Sequence, residues 1–414
     1  APRVAIAHDY LTQRGGAERV VLALLRAFPD ATLHTTLYDP AGTFPEFAGA
    51  RIRTSWLNRI APLRRDHRRA LPLLPFAARS LRIDDADVVI ASTTGWAHGF
   101  PTTARKLVYC HSPARYLYLS HEYLGRPALR TPIGWALLAL RPWLIRWDQR
   151  AARTADRYLC NSRVVRDRIA RVYGLDAEVV PPPFGVDAAG AASEVVELAD
   201  WASEGYHLVV SRLLPYKNVG AVVEAFRGLP GERLAIVGRG PLEDALRAAL
   251  PGNARLLTGL SDAELRWAYA HATALIAPSH EDFGLTPLEA AAFGKPCLAL
   301  HAGGYLDTIE PGLNGTFFAE TTASAIAEAV RANRGAAWDA DAIRRHAEGF
   351  SEEAFARRLR EQVDLRVVPR ERPLSRPRAS GRSSCSGTSR RSTSRGVRSA
   401  SRSAPTSTPR RRSS

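Results

Sequence analysis

Short apolar runs recur along the first 365 residues, and several are followed by segments whose apolar positions return every three or four residues. VAIAH (4–8) reads as a buried strand. The loop DYLTQRGG (9–16) then leads into an amphipathic helix from about Ala17 to Phe28. DVVIAS (87–92), KLVYCHS (106–112) and RYLCNS (157–162) read as further buried strands. The last is followed by a helix with Val164, Val165, Ile169 and Val172 as its apolar positions, and EVVPPP (178–183) ends the series. A Gly-, Ala- and acid-rich stretch around 184–205 reads as a linker, after which the pattern restarts. YHLVVSRL (206–213), RLAIVGRGP (233–241), ARLLTGL (254–260), TALIAPS (273–279) and CLALH (297–301) read as strands, AVVEAFRGL (221–229) as a helix, and FSEEAFARRLREQVDL (350–365) as a closing helix. Strands alternating with helices predict parallel sheets covered on both faces. The expected fold is therefore α/β, with two doubly wound, Rossmann-like domains facing a cleft. The expected bounds are 1–190 and 191–349, with the closing helix at 350–365. Ligands of such sheets bind at the carboxyl ends of the strands, so the loops there carry the search for chemistry.

Charge changes this picture only at the end of the chain. Residues 366–414 hold 14 Arg, one acid (Glu371) and almost no large apolar side chain, which predicts a disordered basic tail. An out-of-frame translation of GC-rich DNA and an electrostatic tail both fit that abrupt shift. The formal net charge of +16 sits mostly there, because the rest of the chain carries 43 basic and 40 acidic residues. A nearly neutral body argues against nucleic acid as its partner. The four cysteines, Cys110, Cys160, Cys297 and Cys385, form no CxxC pair and fit a reducing cytosol. No leader-like stretch precedes the first strand, and the runs WALLAL (135–140) and WLI (143–145) are too short to span a bilayer. A cytoplasmic protein is expected, with peripheral contact at the inner face of the plasma membrane as its membrane association. The stretch 55–82, SWLNRIAPLRRDHRRALPLLPFAARSLR, reads either as a basic amphipathic surface for anionic lipid or as solvated helices packed on the sheet.

The densest candidate chemistry lies in EDFGLTPLEAAAFGKP (281–296). Thr286 as N-cap, Pro287 at the first helical position and Glu289 three residues after the cap would form a capping box, with Gly294 ending the helix. That leaves Glu281, Phe283 and Gly284 in the preceding loop unexplained. A carboxylate placed by a glycine loop before a helix suggests a polar ligand with a phosphate nearby. Gly15 and Gly16 open the first helix and allow close backbone approach, without the GxGxxG dinucleotide pattern. Arg212 and Lys217, in SRLLPYKN, would leave the first strand of the second domain, where they either neutralise a diphosphate or are solvated. The chain has only three lysines, Lys106, Lys217 and Lys295, against 54 arginines, which makes each lysine a question. His111 would face the cleft from the end of its strand. Gly238, in the turn GRGP, either borders a nucleobase or only turns the chain. Asp85-Ala86-Asp87 is a turn preceding a strand, with no His or Glu cluster to complete a metal site, and no metal is expected.

In this order, the GG loop, YCHSP (109–113), SRLLPYKN (211–218) and the Glu281-x7-Glu289 segment resemble the family-4 retaining glycosyltransferases of the GT-B fold, over about residues 3–365. More narrowly, HDYLTQRGGAERV, YCHSPARYLY and HEDFGLTPLEA resemble the bacterial GDP-mannose-dependent mannosyltransferases of O-antigen and exopolysaccharide synthesis. The resemblance implies that Arg212 and Lys217 hold the donor diphosphate, Glu281 the donor sugar and Glu289 the ribose. It places the backbone of Phe283, Gly284, Leu285 and Thr286 on phosphate and sugar, Gly16 on the diphosphate and His111 beside the transferred sugar. It implies front-face substitution, no metal or other cofactor, and a glycan or lipid-linked glycan acceptor. Alternatives are a UDP-sugar donor, a sugar-nucleotide epimerase of the same fold, which the Glu281/Glu289 and Arg212/Lys217 pattern disfavours, and an inactive sugar-nucleotide-binding module.

Overall fold

Thirteen short strands in the described residues assemble into two wholly parallel sheets. The computed structural model describes residues 2–118 and 132–365, and the reading of 366–414 as a disordered basic tail lies outside them. In the first sheet, β1 (Val4–His8), β2 (Thr32–Thr35), β3 (Ile52–Thr54), β4 (Val88–Thr93), β5 (Arg105–Cys110), β6 (Arg157–Cys160) and β7 (Ala177–Val179) lie in the order β3-β2-β1-β4-β5-β6-β7. In the second, β8 (Tyr206–Val210), β9 (Leu234–Val237), β10 (Ala254–Leu257), β11 (Ala272–Ala277), β12 (Cys297–Leu300) and β13 (Gly315–Phe318) lie in the order β10-β9-β8-β11-β12-β13. All six residues of β4 are buried, as a strand covered on both faces requires. The strand order reverses between β1 and β4 in one sheet and between β8 and β11 in the other. The loops leaving those four strands therefore hold the two crevices where such sheets bind ligands.

Seven helices matter for the argument: α1 (Gly16–Ala27), α2 (Ala61–Arg65), α3 (Leu74–Ser80), α4 (Pro132–Ala152), α5 (Arg163–Tyr173), α6 (Thr286–Ala292) and α7 (Glu352–Asp364). The closing helix α7 packs on the first domain although the chain reaches it from the second. Phe355, Leu359 and Val363 join the core that contains Ile6, Leu24 and Tyr109. Gln362 donates from Nε2 to Glu178 at 2.7 Å, and Glu352 pairs with Arg26. The strap explains how a chain with two separate sheets keeps them in one compact unit, Ala1–Pro369.

One expectation needs correcting. The stretch 184–205 is only partly a linker, because Val195, Leu198 and Trp201 are buried in a core of the second domain. Its apolar residues are isolated among acids and small residues and form no run, so periodicity missed them. The short strands TLHT, IRT and GTFF were missed for a related reason. They are three or four residues long and are held by ladder pairing with β1, β2 and β12.

Candidate active site

The second domain brings its two predicted cations and its first predicted carboxylate to one switch point. The Lys217 ammonium pairs with Glu281, and Ser279 donates from Oγ to the same Glu281 Oε1 at 2.5 Å. Ser279 also lies 3.2 Å from the Tyr305 hydroxyl. Asn218 takes the left-handed conformation (φ 54°) and donates from Nδ2 to the Pro278 carbonyl at 3.1 Å, which ties the two loops together. Arg212 is exposed, reaches the Tyr216 hydroxyl at 3.3 Å and has no carboxylate partner among the described residues. Gly238 helps seat this loop: a Cβ there would lie 1.8 Å from the Ser211 carbonyl oxygen, so no other residue permits that approach. The position nevertheless lies at the end of β9, beside the loop that carries Arg212.

The helix after the Glu281 loop is present, but its capping box is not. Leu285, not Thr286, precedes α6, with helical dihedrals and no side-chain cap, so Thr286 already lies inside the helix. Glu289 instead accepts a hydrogen bond from the Tyr269 hydroxyl at 2.8 Å. Burial pushes its carboxyl above the ordinary value, with the Tyr269 bond and the Arg19 charge of the first domain opposing in part. The helix does end at glycine. Gly294 is left-handed (φ 71°), its amide donates to Ala291 at 2.8 Å and that of Lys295 donates to Ala290 at 3.0 Å, the paired bonds of a Schellman motif. A capping box exists elsewhere, at Ser261 and Glu264. Phe283 is buried with its ring 6.3 Å from that of Phe350, which leaves its backbone, not its ring, for a ligand. Gly284 is also left-handed (φ 83°), and a Cβ there would lie 2.4 Å from the Tyr305 ring.

The first domain presents the other wall. Gly15 precedes α1, and a Cβ on Gly16 would lie 3.8 Å from Leu285 Cδ1, so the glycine loop and the Glu281 loop face each other. Among the described residues, no protein acceptor takes the amide hydrogens of Gly15, Gly16, Gly284, Leu285 or Thr286. Two sets of unpaired amides on opposite walls suit an anion. Behind them runs a buried polar chain. His111 Nε2 lies 2.8 Å from Ser92 Oγ, which lies 3.1 Å from His8 Nδ1, and His8 Nε2 is 4.0 Å from Glu18. Burial lowers the His111 pKa to about 4, with the His8 charge adding to the effect, so the imidazole is neutral near pH 7. Burial also disfavours charged His8, but Glu18 and Asp9 more than offset it and its pKa is raised.

The two walls are joined by a residue the sequence did not single out. Arg168, on α5, donates from Nη1 to Ser112 Oγ at 2.7 Å and to Asp282 Oδ1 at 2.8 Å. Ser112 follows His111 and Asp282 follows Glu281, so one guanidinium spans the loops that carry both. Arg115 pairs with the other Asp282 oxygen at 2.8 Å, and Ser162 donates to the Asp282 carbonyl. Arg163 of the first domain pairs with Asp307 of the second. No sequence signal marks Arg168 in an arginine-rich chain. The double glycine of HAGGY, after β12, did offer one: the Gly304 amide donates to the Glu281 carbonyl at 2.9 Å, and Tyr305 follows it. Asp85 and Asp87 pair with Arg53 and Arg3, at 2.9 and 3.0 Å, beside the amino end of β4 and away from this site.

Two parallel doubly wound domains, with candidate site residues at the facing switch points, define the GT-B class. The comparisons agree with it. Residues 14–189 match the family described as Glycosyltransferase Family 4, and residues 202–332 match Glycosyl transferases group 1. The chain thus carries two adjacent glycosyltransferase family matches on a GT-B fold. Anabaena Alr3699/HepE, solved with UDP and glucose, superposes with a TM-score of 0.63 at 16% identity, over 88% of this chain and 100% of that one. Sucrose-phosphate synthase from Thermosynechococcus elongatus gives 0.64 at 17%, over 87% and 98%. Glycogen synthase of Pseudomonas syringae pv. tomato is 34% identical over 145 residues, 33% of this chain and 30% of that protein. D-inositol 3-phosphate glycosyltransferase of Segniliparus rotundus is 31% identical over 172 residues, 36% and 38% of the two chains. The chain thus spans about a third of the length of these curated relatives.

Proposed function

We propose that the protein transfers a hexose from a nucleoside diphosphate sugar to a hydroxyl of a glycan or lipid-linked glycan, with retention at the anomeric carbon. The observation that carries this reading is the cluster of Lys217, Glu281, Ser279 and Tyr305 beside unpaired loop amides, with Gly16 opposite. The bond from the anomeric carbon to the diphosphate breaks as the acceptor oxygen attacks from the same face. The acceptor proton passes to a phosphate oxygen, and the products are the glycoside and the nucleoside diphosphate. Negative charge grows on the departing phosphate, and Lys217, Arg212 and the amides are preorganised to meet it. Glu281 holds sugar hydroxyls and Glu289 the ribose, while neutral His111 offers a hydrogen bond and no charge.

GDP-mannose is the donor we favour, on the resemblance of the HDYLTQRGGAERV and HEDFGLTPLEA segments. A UDP-sugar is the second reading, favoured by the likeness of fold to Anabaena HepE, which has also been solved with UDP-glucose. The test is incubation of the full chain with each donor and a lipid-linked glycan fraction, followed by NMR of the product's anomeric proton. Transfer from GDP-mannose giving an α-linked product supports the first reading. Transfer from a UDP-sugar alone would replace it, and free epimerised sugar nucleotide without acceptor would point to the epimerase.

A further inference from the structure

The first domain carries a face that the transfer reaction does not use. Among the described residues, eleven large apolar side chains are exposed, and seven of these come from two neighbouring stretches: four from 55–82 and three from α4. The stretches are one surface, because the Phe76 ring of α3 stacks on the Trp143 ring of α4 at 5.7 Å. Beneath them Leu57, Leu74, Leu117 and Leu144 form a small separate core. Trp135 is 68% exposed and Phe76 54%, far more than a soluble surface gains from large aromatics.

The charge on this face has one sign. Residues 55–82 contain seven Arg and a single acid, Asp66, which pairs with Arg69. Arg59, Arg65, Arg68, Arg79 and Arg146 are exposed, and their guanidinium groups have no carboxylate partner among the described residues. The acid of α4, Asp148, is buried and held by the Tyr118 hydroxyl at 2.7 Å and by His98 at 3.0 Å. Exposed Trp and Phe within a field of arginine match the chemistry of a lipid headgroup layer. A second copy of the chain fits poorly, because a two-fold contact would set the same arginines against each other. No described helix is long and apolar enough to cross a membrane, so the contact is lateral.

We propose that this face rests on an anionic phospholipid surface, with Trp135, Trp143 and Phe76 at the headgroup boundary and the arginines on lipid phosphates. The face also touches the reaction cleft. His67, between α2 and α3, stacks on Tyr10 at 4.0 Å, and its Nδ1 lies 2.8 Å from Thr12 Oγ1. Tyr10 and Thr12 belong to the loop that ends in Gly15 and Gly16. Docking would thus hold the acceptor-side wall of the cleft at the bilayer, where a lipid-linked acceptor lies. This last point rests on the transferase reading, but the docking itself does not.

The test uses the full chain with vesicles whose acyl chains are brominated, either anionic phosphatidylglycerol or zwitterionic phosphatidylcholine. All eight tryptophans lie before residue 366, so quenching reports the folded body and not the basic tail. The expected result is several-fold stronger quenching by anionic than by zwitterionic vesicles. A Phe76→Asp/Leu138→Asp variant, which keeps every tryptophan, should lose it with nucleotide binding intact. If that variant melts early, Arg65→Glu/Arg68→Glu decides, and should likewise weaken the quenching. Quenching unchanged in the variants, or sedimentation with vesicles without quenching, overturns the proposal. So does a dimer that Phe76→Asp/Leu138→Asp converts to monomer without any lipid response. Quenching without nucleotide binding would count against the transferase reading alone.

Discussion

His111 is neutral because burial lowers its pKa to about 4, and His67 and His207 are lowered to about 4 in the same way. Each falls below the ordinary 6.5, so the unfolded chain takes up these protons first. The stability these three confer is complete above about pH 6.5 and drains toward pH 4, by up to about 1.4 kcal/mol per pH unit for each. His8 runs the other way: its raised pKa adds stability below 6.5 that is lost as pH rises through the folded value. Urea midpoints at pH 7 and 4.5 should fall more in the wild type than in His111→Gln; an equal fall would show that His111 titrates normally. As a hydrogen-bonding group, His111 should also leave no limb between pH 5.5 and 8 in the profile of kcat/KM, and His111→Gln should lower the profile without changing its shape. At this scale Glu281 and Lys217 were legible, because both lie in loops at strand ends and have no structural task evident from sequence. Glu289 was half legible: helix and ligand survive as readings, the cap does not. Tyr269 and Tyr305 were not, because a buried aromatic in an apolar pattern reads as core until its hydroxyl is seen on a polar site residue, Glu289 for Tyr269 and Ser279 for Tyr305.

Single residues join elements here as much as they line a site. Arg168 on α5 connects the loop after β5 with the loop after β11. Arg168→Met should lower kcat roughly 10–100-fold, the range expected when a charged hydrogen bond of about 1.5–3 kcal/mol is lost. Nucleotide affinity should barely change, because the proposed nucleotide contacts lie mainly on the second domain. Asp282→Asn should do the same, and the double variant should be little worse than either single one. Additive losses would mean that the two act separately. Gly284→Ala must find room against the Tyr305 ring at a positive φ, and calorimetric melting should show a loss of about 1–3 kcal/mol. The strands rich in Val, Ile, Leu and Ala were legible because burial on both faces writes them as runs. The edge strands and the docking of α7 on the first domain were not, because ladder pairing and long-range packing leave no local period.

Across the whole molecule, two sheets of the same construction place their switch points on facing walls, and every candidate loop leaves a strand at its carboxyl end. That order was readable from alternating strands and helices alone. The joining of the walls by Arg168, Arg115, Arg163 and Ser162 was not, since it depends on side chains distant in sequence. The central claim is that the walls close on a nucleoside diphosphate sugar. Titration calorimetry of the full chain with GDP, UDP, GDP-mannose and UDP-glucose, repeated with Lys217→Ala and Glu289→Ala, tests it most directly. Saturable binding selective for guanine nucleotides, weakened roughly 10-fold or more in both variants, is the result expected. Selective uridine binding would keep the site and change the donor. Failure of all four to bind, or binding that neither variant alters, would contradict the account.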